Sequence, residues 1–106
     1  MQTFYTIKLT PARIAIADLS KYADGFLLHR INVPPQFRRL GHGSALLKTI
    51  LADADAENAT LYLWVSDSGG LTAKQLDAWY SRHGFVNNGG LYCRKPIKGS
   101  TDSDYF

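Results

Sequence analysis

Two glycines separated by one residue, with two arginines just ahead of them, give the strongest chemical signal in the sequence. They follow an apolar run and lead into an amphipathic segment, which predicts a loop at the start of a helix. Backbone N–H groups at a helix start have no intrahelical partner and carry partial positive charge, and glycine lets a ligand approach them closely. The sequence therefore predicts a phosphate-binding loop that comprises Arg38, Arg39, Leu40, Gly41, His42, Gly43 and Ser44.

The spacing of this loop differs from that of the two common phosphate motifs, G-x-G-x-x-G and G-x-x-x-x-G-K-[ST]. It reads instead Val33-x-Pro35-x-x-Arg38-x-x-Gly41-x-Gly43, which resembles the pyrophosphate-binding motif A of the GNAT family of N-acetyltransferases. A second motif lies downstream, where Trp79-Tyr80 is followed by Gly84-Phe85. It is similar to the end of the fourth helix in that family. The two motifs together cover residues 25–95, and we interpret the chain as a minimal, truncated family member.

The resemblance implies that acetyl-CoA is the acyl donor and lies in a gap where the two central strands separate just past motif A. Ile31, Asn32 and Val33 would then face the pantetheine and acyl end of the donor. Family members carry an asparagine seven residues before the helix tyrosine, and here that position is Ala73. Thr72 or the loop that begins at Ser66 would take over its contact with the donor.

Acyl transfer from a thioester to an amine requires a base for the amine proton and an acid for the departing sulfur. By resemblance Tyr80 is that acid. Its spacing beside Trp79 alone favours a packed helix aromatic, and the register of Gly84-Phe85 reverses that preference. His29 occupies the strand position of a base in one family member, and histidine is largely neutral at neutral pH. A hydrogen-bonded strand histidine is the alternative interpretation. If His29 is not the base, Asp67 or a water molecule is the next candidate.

Composition limits the other classes of function. With 106 residues and 45% hydrophobic content we expect one domain over residues 1–96 and a loose tail over residues 97–106. The formal charge of +3 is mild, and the basic residues form no stripe interleaved with aromatics, so nucleic-acid binding is not indicated. One cysteine, three scattered histidines and the lack of a long apolar run predict a cytoplasmic protein with no metal site and no membrane partner.

Hydrophobic periodicity predicts a mixed, mostly antiparallel α/β sheet with two main helices. The expected strands cover residues 3–9, 13–19, 26–33, 61–65, 85–86 and 91–94, and a turn at Asn87–Gly90 closes the last hairpin. One helix should cover residues 44–57, with Asp53, Asp55 and Glu57 facing outward. The other should begin with a capping box at Thr72 and Gln75 and end at Gly84.

The first 24 residues have room for only two strands, whereas a typical GNAT member places a strand and two helices there. Those helices form one wall of the acceptor site, so we expect a groove open on one side. The truncated plan is similar to that of small viral anti-CRISPR acetyltransferases that modify a nuclease lysine. Two functions remain: an acetyl-CoA-dependent N-acetyltransferase acting on a protein or other macromolecule, or a non-catalytic CoA-binding module that docks to a partner protein. A homodimer that completes the site is a further alternative.

Overall fold

The computed structural model describes residues 1–66 and 70–97, and in it a six-stranded sheet carries two helices. The strand order is β1-β2-β3-β4-β6-β5, with β3 and β4 parallel and the other neighbours antiparallel. The mixed, mostly antiparallel α/β fold expected from the sequence is confirmed. In chain order the elements are β1 (Phe4–Thr10), β2 (Arg13–Tyr22), β3 (Gly25–Asn32), a 3₁₀ turn (Pro35–Phe37), α1 (His42–Ala56), β4 (Thr60–Trp64), α2 (Ala73–Arg82), β5 (Val86–Asn88) and β6 (Leu91–Arg94).

Both helices pack on the same face of the sheet. The buried stripe of α1 meets alternate, inward-facing positions of β1 to β4, where Ala15 and Ala17 leave room for the helix. Arg94 on β6 joins the two helices, because it binds Asp55 of α1 and the backbone carbonyl of His83 at the end of α2. The resulting core consists of Tyr5, Ala15, Ala17, Leu19, Leu28, Leu46, Leu47, Ile50, Leu51, Ala54, Ala59, Leu61, Leu63, Leu76, Tyr80, Phe85 and Tyr92.

No described residue covers the opposite face of the sheet. Several large apolar side chains stand on it, including Phe4, Trp64 and Val86, whose exposed fractions are 51%, 60% and 59%. Ile14 and Tyr22 on β2 are exposed on the same side. We call this surface the uncovered face. An antiparallel sheet can leave one face to solvent, but that face is then usually polar. So many exposed large apolar side chains mark it as a candidate interaction surface.

The two central strands separate within the sheet. β3 and β4 pair from Gly25 and Thr60 up to Leu28 and Leu63, and beyond that point β3 pairs only with β2. A β-bulge lies at the separation, because Leu28 and Arg30 have partners on β2 and His29 between them has none. The gap was expected just past motif A and instead opens at His29, four residues before Val33. A bulge bends its strand and redirects side chains, which accounts for the earlier opening.

The ends of the elements lie close to the predicted positions. β2 runs three residues farther than expected, and α1 begins at His42 rather than Ser44. The last hairpin turns later than predicted, since β5 extends through Asn88. The capping box at Thr72 is confirmed, and Gly84 follows α2 with φ +92°. Neither helix is long and apolar enough to span a membrane, among the described residues.

All three acidic residues expected to face outward from α1 have defined partners. Glu57, just past the helix end, pairs with the N-terminal ammonium of Met1, and the other two bind residues of the sheet. Asp53 accepts a hydrogen bond from the Tyr5 hydroxyl at 2.7 Å. Asp55 binds the Arg94 guanidinium and also accepts the amide N–H of Ile97 at 2.9 Å. These partners lie 48, 39 and 42 residues away in sequence, and helical periodicity carries no information about them. The remainder of the expected tail, residues 98–106, is outside the described residues.

Candidate active site

A cavity of about 770 Å³ lies between the N-terminus of α1, the separated ends of β3 and β4, and α2. It brings together most of the residues that the sequence singled out. Those lining it are His29, Ile31, Val33, Arg38, Arg39, Gly41, His42, Gly43, Ser44, Ser66 and Tyr80. Three expected donor contacts, Asn32, Leu40 and Thr72, do not line it. Thr72 instead caps α2, because its hydroxyl accepts the Gln75 amide N–H. Asp67, the reserve base, falls in the short gap outside the described residues.

The N-terminus of α1 gives one end of the cavity an anion-binding character. Gly41 is the N-cap with φ +87°, a left-handed conformation that favours glycine. The Ala45 amide donates to the Gly41 carbonyl, so the amides of residues 42–44 before it lack intrahelical acceptors. Arg38, Arg39 and Arg82 line the same cavity. Unpaired amides, the positive helix end and guanidinium groups together suit a phosphate or pyrophosphate.

Arg38 also holds the chain that leads from β3 into this end of the cavity. Its Nε donates to the Val33 carbonyl at 2.8 Å, which ties the first residue of motif A to the arginine of that motif. Its Nη1 lies 3.7 Å from the position that a Cβ would take on Gly70. The Arg38 side chain therefore spans from motif A to the loop after β4. One guanidinium can fix the loop through Nε and leave its outer nitrogens for an anion.

Gly43 keeps the middle of the cavity open. A Cβ at this position would stand 3.9 Å from the side chains of Ile31, Val33 and Trp79, which is ordinary van der Waals contact. All three of those side chains line the cavity. A methyl group at residue 43 would therefore occupy cavity space without colliding with the protein. The surrounding structure therefore does not require glycine here, and the missing side chain leaves space in the cavity.

Tyr80 projects from α2 into the cavity and is 8% exposed. Its ring packs between Trp79 and Phe85, with ring centroids 4.9 and 5.5 Å away. Burial raises the pKa of the Tyr80 hydroxyl to about 12. The hydroxyl is therefore protonated at all physiological pH values and available as a proton donor. Tyr80 both packs against its aromatic neighbours and faces the cavity. A role as a packed helix aromatic is therefore compatible with a role as a proton donor.

His29 lies at the β-bulge where the gap begins, and it lines the mouth of the cavity. Its Nε2 is 2.7 Å from Oγ of Ser20 on β2, and the two atoms share a hydrogen bond. Beside them Arg30 pairs with Asp18, with Nε and Oδ2 3.5 Å apart. The other Asp18 carboxylate oxygen, Oδ1, is buried and has no hydrogen-bond partner among the described residues. A titratable imidazole thus stands at the cavity mouth within a polar surrounding.

Several lining residues were not identified from the sequence. They include Arg30, Trp64 and Val65 at the ends of the central strands, and Gln75, Trp79 and Arg82 on α2. The predicted gap between the central strands could have indicated Trp64 and Val65, since residues just past the last pair between β3 and β4 must border it. Arg82 follows Trp79 by three residues and so shares its helix face. Sequence spacing could not predict that this face of α2 lies against the N-terminus of α1.

Comparisons with known proteins identify the family and agree with the fold. The sequence profile of the "Acetyltransferase (GNAT) domain" matches residues 2–87. Among solved structures, the anti-CRISPR protein AcrVA5 superimposes with a TM-score of 0.65 at 17% identity, covering 87% of this chain and 98% of that one. The ribosomal-protein-S18-alanine N-acetyltransferase from Escherichia coli gives 0.68 at 21% identity, covering 100% and 77%.

A third structure was solved with a ligand. PaiA N-acetyltransferase from Thermoplasma acidophilum, in complex with coenzyme A, gives a TM-score of 0.58 at 17% identity. The match covers 76% of this chain and 52% of that one, so the chain spans about half the length of that protein. No sequence among curated proteins matches the chain. At these identities the structural likeness establishes the fold.

Proposed function

The chain belongs to the GNAT family of acetyl-CoA-dependent N-acetyltransferases, and we propose that the amine it acetylates lies on a protein. One observation carries this proposal. Arg30 and Trp64 line the cavity and also stand on the uncovered face of the sheet, so the cavity reaches that face beside them. No described element closes that side around a small molecule. A large acceptor therefore has access to the reaction site.

The residues present fit a CoA thioester. The loop from Arg38 to Ser44 would hold the pyrophosphate through backbone amides and guanidinium groups. The last residues of β3 have no partner on β4, so their backbone can pair with an extended ligand chain. Ile31 and Val33 supply an apolar wall beside that backbone. The donor contributes an activated acyl group, and the protein contributes its placement and the proton transfers.

His29 and Tyr80 suit the two proton transfers. His29, directly or through a water, takes a proton from the attacking amine as nitrogen forms its bond to the acyl carbon. The carbon–sulfur bond then breaks, and the Tyr80 hydroxyl supplies the proton that the sulfur needs to leave as a thiol. The tyrosine regains its proton from solvent or the base. A burial-raised pKa keeps Tyr80 in the donor form at the moment of collapse.

The uncovered face supports a protein acceptor rather than an isolated amine. A standard protein–protein interface buries about 800 Å² on each partner. A six-stranded sheet with strands ~4.8 Å apart offers a surface of that order. Phe4 and Val86 lie on strands at opposite edges of the sheet, so apolar contacts extend well beyond the cavity mouth. A small amine would not need these contacts.

Acetylation with isotopically labelled acetyl-CoA tests the proposal. In a cell lysate we expect label on lysine or N-terminal amines of proteins, and poor steady-state rates with free polyamines, amino acids and aminoglycosides. A free amine used with kcat/KM above ~10⁴ M⁻¹s⁻¹ would contradict the protein acceptor. Label confined to nucleic acid would contradict it as well.

Two variants far from the cavity sharpen this test. Phe4→Ser and Val86→Ser should slow labelling of the protein acceptor and leave CoA affinity unchanged, because neither residue lines the cavity. Sedimentation velocity tests the alternative, in which a homodimer completes the site. If the chain is a stable dimer that these substitutions dissociate, a second copy occupies the face and the acceptor proposal is wrong.

A further inference from the structure

Ser20 is placed to control the imidazole of His29 without touching the reaction site. It lies on β2, its hydroxyl is 2.7 Å from Nε2 of His29, and it does not line the cavity. His29 is the unpaired residue of the bulge, so the ladder does not set its position as it does for Leu28. Within the described residues, Ser20 is the hydrogen-bond partner of the imidazole.

We propose that Ser20 is a positioning residue that accepts a hydrogen bond from Nε2–H of His29 and so leaves Nδ1 as the nitrogen that takes the amine proton. The inference rests on the proposed role of His29 as base. Its chemical reason is that this hydrogen bond is compatible with both protonation states. Neutral imidazole protonated at Nε2 donates to Oγ, and after proton uptake at Nδ1 the same donor and acceptor remain. No reorientation is needed during the transfer.

The opposite arrangement would not serve a base. If the Ser20 hydroxyl donated to Nε2, the proton of the neutral ring would sit on Nδ1, and the available lone pair would be directed at Ser20. Such a pair would resemble a serine nucleophile activated by histidine. Ser20 lies outside the cavity lining, so its hydroxyl is not presented to an acyl group. Ser20 is therefore not placed as a nucleophile, and we assign it the acceptor role because that role leaves the lone pair of the neutral ring on Nδ1.

The two arrangements predict opposite shifts, which makes the proposal testable. A hydrogen bond that stabilises the protonated ring raises its titration midpoint, and one that stabilises the neutral ring lowers it. We therefore expect Ser20→Ala to lower the midpoint of the His29 imidazole by a fraction of a pH unit, because the hydrogen bond exists in both states and is only stronger from the charged ring. The measurement is an NMR titration of the imidazole, which requires no acceptor.

Controls separate this effect from a general disturbance. Ser20→Thr keeps the hydroxyl on a strand and should restore the parent midpoint, whereas Thr6→Ala on β1 of the same face should not move it. The other charged or titratable groups of the cavity lining, and Asp18 beside Arg30, are unchanged in all three variants. They are Asp18, Arg30, Arg38, Arg39, His42, Tyr80 and Arg82.

A kinetic measurement connects the hydrogen bond to transfer. The probe is a random copolymer of glutamate and lysine, and release of the CoA thiol is followed against pH. Division by the rate of His29→Gln at each pH removes the titration of the acceptor itself. The acidic limb of this ratio should move down in Ser20→Ala and return in Ser20→Thr, with the plateau lowered about tenfold in Ser20→Ala.

The outcomes distinguish failure of the proposed role of His29 as base from failure of the proposed role of Ser20. If His29→Gln has the same pH profile as the parent, His29 is not the base, and the Ser20 proposal is wrong with it. If His29→Gln removes the acidic limb but Ser20→Ala leaves the midpoint unchanged or raises it, only the Ser20 proposal is wrong. An acetyl group found on Ser20 by mass spectrometry would also overturn it.

Discussion

Leu28 of β3 and Leu63 of β4 form the last residue pair between the two central strands, and both side chains are buried in the core. The candidate active site therefore begins directly where a well-packed pair of strands ends. Sites built on strands and helices are held more rigidly than sites built on loops. We expect substitutions inside the cavity to change binding or chemistry while the core keeps the fold.

Tyr80→Phe should lower the rate of acetyl transfer by on the order of 10²-fold with little change in CoA affinity. The substitution keeps the ring between Trp79 and Phe85 and removes only the proton donor. Tyr92→Phe is the matched control, because Tyr92 is also a buried tyrosine and does not line the cavity. Steady-state rates and calorimetry of CoA binding measure the two effects. Equal rates for Tyr80→Phe and the parent would leave Tyr80 with a packing role alone.

Gly43→Val should abolish CoA binding without unfolding the protein. The added side chain would fill the space bordered by Ile31, Val33 and Trp79, which we assign to the ligand. Gly43→Ala should give an intermediate loss, since a single methyl group makes only ordinary contacts there. Ala45→Val adds similar bulk at an exposed position of the same helix and should leave the affinity unchanged. Unchanged CoA affinity in Gly43→Val would remove the loop from the proposed binding site.

Much of the site was predictable from the sequence because its residue types are dictated locally. A left-handed N-cap favours glycine at Gly41, and a capping box needs the spacing of Thr72 and Gln75. Such features depend on neighbours within a few residues. The glycine-capped start of α1 and the start of α2 therefore followed from motif and spacing.

The features that sequence reasoning missed depend on distant residues. The bulge at His29 arises from its register against β2, and the partner of Asp55 is 39 residues away on β6. The same holds for Arg82, whose place in the cavity depends on how α2 packs beside α1. The early separation of β3 and β4 moved the gap ahead of Val33. Tertiary packing decided each of these.

Asp55→Asn should destabilise the protein and flatten its stability at acidic pH. Arg94 is 4% exposed, and its guanidinium makes two hydrogen bonds to Asp55, at 2.8 and 3.1 Å. The hydrogen bond from Arg94 holds the pKa of the Asp55 carboxyl below its usual value. This stabilisation is therefore complete above the ordinary Asp pKa of ~3.9 and is lost as pH falls through the lower folded pKa.

The expected loss for Asp55→Asn near neutral pH is ~2–4 kcal/mol, because a buried cation is left without its anion. Urea unfolding from pH 7 down to pH 2 measures both the loss and the change in slope. Glu57→Gln is the control, since Glu57 is largely exposed and should change stability by less than ~1 kcal/mol. A slope between pH 4 and 2 that is identical in Asp55→Asn and the parent would contradict the assigned role of the ion pair.

Gly25→Ala should disrupt the parallel pairing that creates the cavity. A Cβ on Gly25 would stand 1.8 Å from the Thr60 carbonyl oxygen and 2.7 and 2.9 Å from the carbon and nitrogen of that residue's backbone. Backbone in the middle of a sheet cannot yield as a flexible side chain would, so we expect a loss of ~3 kcal/mol or more. Only four residue pairs join β3 to β4, and Gly25 with Thr60 is the first. Gly43→Ala is the control, because it adds the same methyl group at a position with free space. Its urea unfolding midpoint should equal that of the parent. If Gly25→Ala retains the parent's stability and CoA affinity, the close approach of β3 to β4 at this pair is wrong.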